Sequence, residues 1–402
     1  MTGARRAALA AGLALAAAAA ASAPTAARAQ DLLSFLSERD GRRQVYLIGA
    51  DGRGERRLTA GPFDDANGPV TPDGGALLVI RGEGDAARGE RRFRFLLFPL
   101  APVGALPRPL GPPRAALLNP SFLPDGRAFV FESESEGLRD LFLLPLAPAA
   151  AAAATTTTTT AATTATGTGL RQLTRDREGN FQPDACARGG LVAFTSSRDR
   201  VSELYRMRAD GSDVRRLTYS PGSEWQPRCT ADGRRIFFVS DRDGADRIYS
   251  VHSNGSEPRR ASRRDLDPHV VEEQPALSPD GRLLAFVLRS PGRTTRIHLV
   301  DLATGVESEL VTPPDRRADE PTWTRPGRPP RLAFTLSSAD PRARDTQIFL
   351  ADPASSTGPT GPAGPAGPAG SAGPSNRAGP AQPALKQLTT APGPNWHPLF
   401  VR

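Results

Sequence analysis

Seven polar residues recur at one position of a repeating unit in this 402-residue sequence: Asn67, Asn119, Gln182, Gln226, Gln274, Glu320 and His397. Between them, carboxamides, a carboxylate and an imidazole can donate and accept hydrogen bonds. Gathered at one place, they could grip a peptide, a sugar or a metal-bound water. In the blander reading they satisfy exposed backbone where one unit meets the next. Phe181, Trp225 and Trp396 stand one place earlier. These rings could floor a ligand site or pack between units.

Other candidate chemistry is sparse. The histidines are His252, His269, His298 and His397. His269 sits in "RRDLDPHVVEEQP" beside Asp265, Asp267, Glu272 and Glu273. With His397 and Glu320 it could support a divalent cation, but two histidines are few for such a centre, and no metal ligand or cofactor is assigned. No G-x-S-x-G nucleophile turn occurs, and no catalytic residue is assigned. The stretch Asp241–Gly244 and the pair Arg198-Asp199 are like short calcium loops without the 12-residue spacing of a dedicated one, and read as β-turns. Cys186 and Cys229 fall one alignment step apart on neighbouring units. A disulfide is chemically permissible in an exported protein. Alternation along a strand points adjacent positions to opposite faces, so two buried thiols are the favoured reading.

The elements that carry these residues come from the repeat. "TPDGGALLVI", "LPDGRAFVFES", "CARGGLVAFTSSRD", "TADGRRIFFVSDRD", "SPDGRLLAFVLRS" and "TRPGRPPRLAFTLSS" are successive versions of one phrase, and "RRLT", "RQLT" or "KQLT" closes several units. Each unit reads as four short strands separated by Asp-Gly and Asn-Gly turns, which tolerate positive φ. A four-stranded meander repeating at about 45 residues is the pattern of a propeller blade. The C-terminal "PNWHPLFVR" matches a first strand alone, and "LLSFLSERDGRRQVYLIGADGRGERRLT" supplies strands two to four of the same blade. The fold class expected is therefore all-β: a seven-bladed β-propeller over residues 30–402, closed by N- and C-terminal strands sharing one blade. The polar residues then lie just before each first strand and converge on the mouth of the central channel.

Two tracts interrupt the period, an Ala/Thr-rich insertion at 149–168 and a Gly/Pro-rich insertion at 354–384. Both fall between a third and a fourth strand, where other units need only a turn. Both are expected to be disordered loops on one face.

Residues 1–29 carry Arg5-Arg6, an Ala/Leu run and Ala27-Arg28-Ala29, the arrangement of a cleaved signal peptide. No later run reaches the ~20 apolar residues of a membrane span. Formal net charge is +8, with 43 acidic residues interleaved among the basic ones. That scatter argues against a nucleic-acid surface. A soluble monomer in the periplasm or medium is expected.

"SPDGRLLAF", "SDRDGADRIYSV" and "GSDVRRLT" resemble the WD40-like (PD40) repeats of TolB-type propellers. The resemblance implies an envelope protein that binds protein or peptide partners around its propeller. Blade strands begin directly behind the leader, leaving no room for the N-terminal α/β domain of TolB, and seven blades are counted where the TolB propeller has six. Peptidases with similar propellers carry a hydrolase domain after the propeller. Oligogalacturonate lyases are similar propellers with a His-rich metal centre, and imply the alternative of a metal-assisted carbohydrate-active enzyme.

Overall fold

Val45 and Leu47 of one strand pack toward Leu77 and Val79, while Tyr46 and Ile48, between them, pack toward Ala333 and Ile348. A strand's side chains alternate between faces. Here both faces are buried against neighbouring sheets, so the strand reads as a continuous apolar run. The same holds in "RIFFVS", where Ile236 and Phe238 join one cluster and Phe237 and Val239 the next.

The computed structural model describes residues 31–84, 91–135, 137–146, 169–262, 267–292, 294–340, 342–353 and 384–401. The leader, the Ala/Thr tract, nearly all of the Gly/Pro tract and Asp265 lie outside the described residues. The described chain forms seven four-stranded antiparallel sheets. Blade 1 consists of Leu32–Ser37, Gln44–Gly49 and Arg56–Arg57, with Asn395–Phe400 added as its first strand. The first strands of blades 2 to 7 are Asp64–Val70, Leu118–Phe122, Asn180–Ala185, Glu224–Cys229, Val271–Leu277 and Arg316–Trp323. Each first strand touches the first strands of the blades on both sides, including blade 7 to blade 1 and blade 1 to blade 2. The first strands therefore line the axis of a closed ring. Closure pairs Leu36 with Trp396 and Leu33 with Phe400, and Val401 N–H donates to Leu32 O at 2.7 Å.

The recurring "LT" has a packing reason. Thr218 Oγ1 accepts the Leu204 N–H at 2.9 Å. Thr59, Thr174 and Thr389 accept from Val45, Leu141 and Ile348 in the same way. The hydroxyl thus continues the ladder where the two-residue fourth strand stops. The "S-D-R-D-G" turns are clamps: Arg242 Nε donates to Ser240 Oγ at 3.0 Å, its guanidinium stacks 4.5 Å from the Tyr249 ring centroid, and the Tyr249 hydroxyl donates to Asp243. Arg198 repeats the arrangement with Ser196 and Tyr205.

Two expectations are corrected. The seven polar positions lie not before the first strands but inside them, and all except Asn67 sit at a β-bulge where two residues have no partner on the second strand. A proline fits there because it owes the ladder no N–H. Cys186 and Cys229 are not free thiols but a disulfide with Cα atoms 5.1 Å apart. Cys186 lies one residue beyond the end of its strand at Ala185, where the alternation that argued against a bridge no longer applies.

Candidate binding face at the channel mouth

Six of the seven polar residues have left-handed backbone: Asn119, Gln182, Gln226, Gln274, Glu320 and His397, with φ between 47° and 58°. That conformation is unfavourable for residues with a Cβ, by about 1–2 kcal/mol each. The bulge geometry aims each backbone N–H at the preceding blade. Gln226 N–H donates to Gln182 Oε1 at 2.7 Å, Gln274 N–H to Gln226 Oε1 at 2.8 Å, and Glu320 N–H to Gln274 Oε1 at 2.8 Å. His397 N–H donates to Glu320 Oε2 at 2.7 Å. One side-chain oxygen per blade thus caps the next blade's bulge.

Blade 3 needs an intermediary. Asn119 is one methylene shorter than glutamine, and Glu132 of its second strand stands between. Glu132 Oε2 accepts from Asn119 Nδ2 at 3.0 Å and from Gln182 N–H at 3.0 Å. Glu132 is fully buried and also accepts from Arg139. Nothing in the repeat phrase marked it.

The relay breaks in blade 2. The bulged pair there is Gly68-Pro69, since Asn67 still pairs with Val79. Gly68, not Asn67, is therefore the structural counterpart of Gln182 and Gln226, and glycine has no side chain to offer Asn119. Asn67 instead donates Nδ2 to His397 O at 2.8 Å and to Ser34 Oγ at 3.2 Å. A notch of about 520 Å³ opens at this junction, lined in part by Gly68, Ile80, Phe93, Leu117 and Leu399. A Cβ on Gly68 would come within 3.1 Å of Leu78 O and 3.4 Å of the Pro120 ring.

The three Gln residues are half-buried. Their Oε1 atoms each accept the next blade's N–H. Their amide NH₂ groups have no protein acceptor among the described residues. The His397 side chain is 60% exposed, with Nε2 3.3 Å from Glu320 Oε1. Trp225 and Trp396 are half-buried and pack against the cores between blades 5 and 6 and between blades 1 and 2. His269 lies apart, lining a cavity with Arg289, Thr294 and Arg317. His252 pairs with Glu257, and His298 stacks on Phe286. Among the described residues, no three His, Cys, Asp or Glu side chains gather as a metal would require.

The family pattern described as the TolB beta propeller domain (PD40) matches residues 163–329. Less than half of this chain carries that pattern; the described chain is a seven-bladed β-propeller. No curated protein sequence matches it. Among solved structures, a putative TolB from Agrobacterium tumefaciens is 21% identical, with 70% of this chain and 88% of that one covered and a TM-score of 0.47. A puromycin-hydrolyzing peptidase from Mycobacterium tuberculosis is 18% identical, with a TM-score of 0.56 over 80% of this chain and 51% of that one. An oligogalacturonate lyase from Vibrio parahaemolyticus is 13% identical, with a TM-score of 0.53 over 80% and 83%. The last two share the propeller fold with this chain. No described helix is long and apolar enough to cross a membrane.

Proposed function

We propose that this propeller is an exported, non-catalytic binding protein that takes a protein or peptide of the cell envelope on its mouth face. The observation carrying this reading is the row of amide NH₂ groups of Gln182, Gln226 and Gln274 on three successive blades. The relay consumes their oxygens and leaves donors spaced around the pore rim. A peptide offers such donors a regular series of carbonyl oxygens, and a terminal carboxylate offers a stronger acceptor. The left-handed backbone holds these side chains in place, so little ordering remains to oppose binding.

The deciding variant carries Gln182→Glu, Gln226→Glu and Gln274→Glu together. Glu320 already serves the relay as a carboxylate, so the acceptor survives while each donor is lost. Tagged wild-type protein incubated with envelope extract should enrich a partner that the triple variant, folded by circular dichroism, does not. Equal recovery by both proteins would refute the proposed face. The carbohydrate-enzyme alternative rests on His397 and Glu320 alone, since His269 lies in a different cavity. Metal bound after dialysis and lost in His397→Ala would support it.

A further inference from the structure

The face opposite the mouth carries a second concavity, between blades 5 and 6. Its volume is about 590 Å³, and it is lined by arginines 188, 235, 259 and 260 with Thr230 and Ser250. Arg188 and Thr230 come from the first-to-second-strand turns of blades 4 and 5, and Arg235, Ser250 and Arg259–Arg260 from the second, third and fourth strands of blade 5; the Asp280 turn of blade 6 completes the wall. The only acids on its wall among the described residues are Asp232 and Asp280, and both are engaged in their own turns. Asp232 accepts from Thr230 Oγ1 at 2.6 Å and from Arg234 N–H at 3.0 Å. Asp280 accepts from Ser278 Oγ at 2.6 Å and from Arg282 N–H at 3.1 Å.

The guanidiniums are unequally satisfied. Arg260 lies 3.8 Å from the buried Glu272 carboxylate. Arg235, 12% exposed, lies 3.7 Å from the exposed Glu257 carboxylate and donates past Ser250 to Glu257 O at 2.9 Å, while its Nε is buried with no acceptor among the described residues. Arg259 and Arg188 are exposed and make no ion pair among the described residues. Burial depresses the Arg235 pKa and the Arg259 charge nearby depresses it further, against the smaller opposite pull of Glu257. Like charges held together around a polar hollow are the arrangement expected of a site whose missing member is an anion.

We propose that this inter-blade cavity binds a small organic oxyanion, a carboxylate or a phosphate ester, through Arg235 and Arg259 with Arg188 closing from blade 4. The volume falls in the range of small-molecule pockets. The site lies on the other face from the pore rim and does not depend on the partner proposed there.

The test is calorimetric titration of the full chain with citrate and, separately, inorganic phosphate, at constant ionic strength in chloride. Saturable binding of one equivalent is expected, and the tighter probe assigns the class as carboxylate or phosphate. Arg259→Gln, an exposed change that breaks no bond, should weaken it by about tenfold or more. Arg235→Lys keeps the charge and loses the fork, and should weaken it comparably. Arg53→Gln, an exposed arginine of blade 1, should leave it unchanged. No saturable heat with either probe, an unaltered affinity in Arg259→Gln, or an equal loss in Arg53→Gln would each overturn the proposal.

Discussion

Glu203 of blade 4 and Glu224 of blade 5 meet across one hydroxyl, with Thr218 Oγ1 standing 2.6 Å from the first carboxylate and 3.1 Å from the second. Both are fully buried. At two equivalent junctions an acid meets an amide, Asp140 with Asn180, or two amides meet, Gln347 with Asn395. Arg216 donates to Glu203, and Arg242, Ser220 and Ser240 donate to Glu224. Burial, and then the Glu224 carboxyl beside it, push the Glu203 pKa up to about 7.

A raised carboxyl pKa means the folded state holds a proton that the unfolded chain has released. The associated stability is present below the unfolded value near 4.5 and lost as pH rises to about 7. Glu203→Gln mimics the protonated form. It should stabilise the protein at pH 8 by on the order of 2 kcal/mol and have little effect at pH 4.5. Asp184, Asp246 and Asp319 are shifted the same way by burial, so the informative quantity is the difference between wild-type and variant denaturation curves across that range. A pH-independent difference would contradict the assignment.

The relay predicts an unusual order of substitutions at Gln226. Alanine removes the acceptor of the Gln274 N–H and keeps a Cβ at φ 53°. Glycine removes the same acceptor and relieves the backbone. Gln226→Gly should therefore be less destabilising than Gln226→Ala by about 1 kcal/mol, measured by urea unfolding. At an ordinary strand position the order reverses.

Arg325 ties the ring at its closing blade. From blade 7 its Nη2 donates to Thr71 O at 3.0 Å and Pro72 O at 2.6 Å of blade 2, and its Nη1 to Val401 O at 3.3 Å of blade 1. Arg325→Ala should cost roughly 2–4 kcal/mol by leaving buried carbonyls unpaired. Removal of residues 395–402 should abolish cooperative unfolding, because it exposes the edge of Leu32–Ser37.

The bridge between Cys186 and Cys229 predicts no thiol reactive to Ellman reagent in the denatured, unreduced protein. Reduction should lower stability by about 2–4 kcal/mol. Two reactive thiols would refute the bridge.

The blades were legible because second and third strands buried on both faces leave apolar runs between fixed turns, and the closing blade followed from two incomplete units. The relay was legible in residue type and misplaced in detail. Counting back from proline does not show that the residues sit in a bulge, and the extra residue in "ANGPV" made Asn67 look like a member when Gly68 holds the place. Glu132 stayed hidden because it belongs to a second strand, where a carboxylate breaks the apolar run without repeating. The arginines between blades 5 and 6 come from different positions of different units, so no alignment column collects them.

The glycine at 68 turns a hoop into an arch. Around blades 3 to 7 and on to blade 1, every innermost junction carries its own rivet, from Asn119 through Glu132 to His397. Between blades 2 and 3 the inner tier has no such side-chain bond among the described residues, while Arg114 fastens the outer rim to Ser133 and Glu134. A cylinder clasped outside and unclasped inside yields first at its inner lip, so any dilation of the pore should begin beside Asn119.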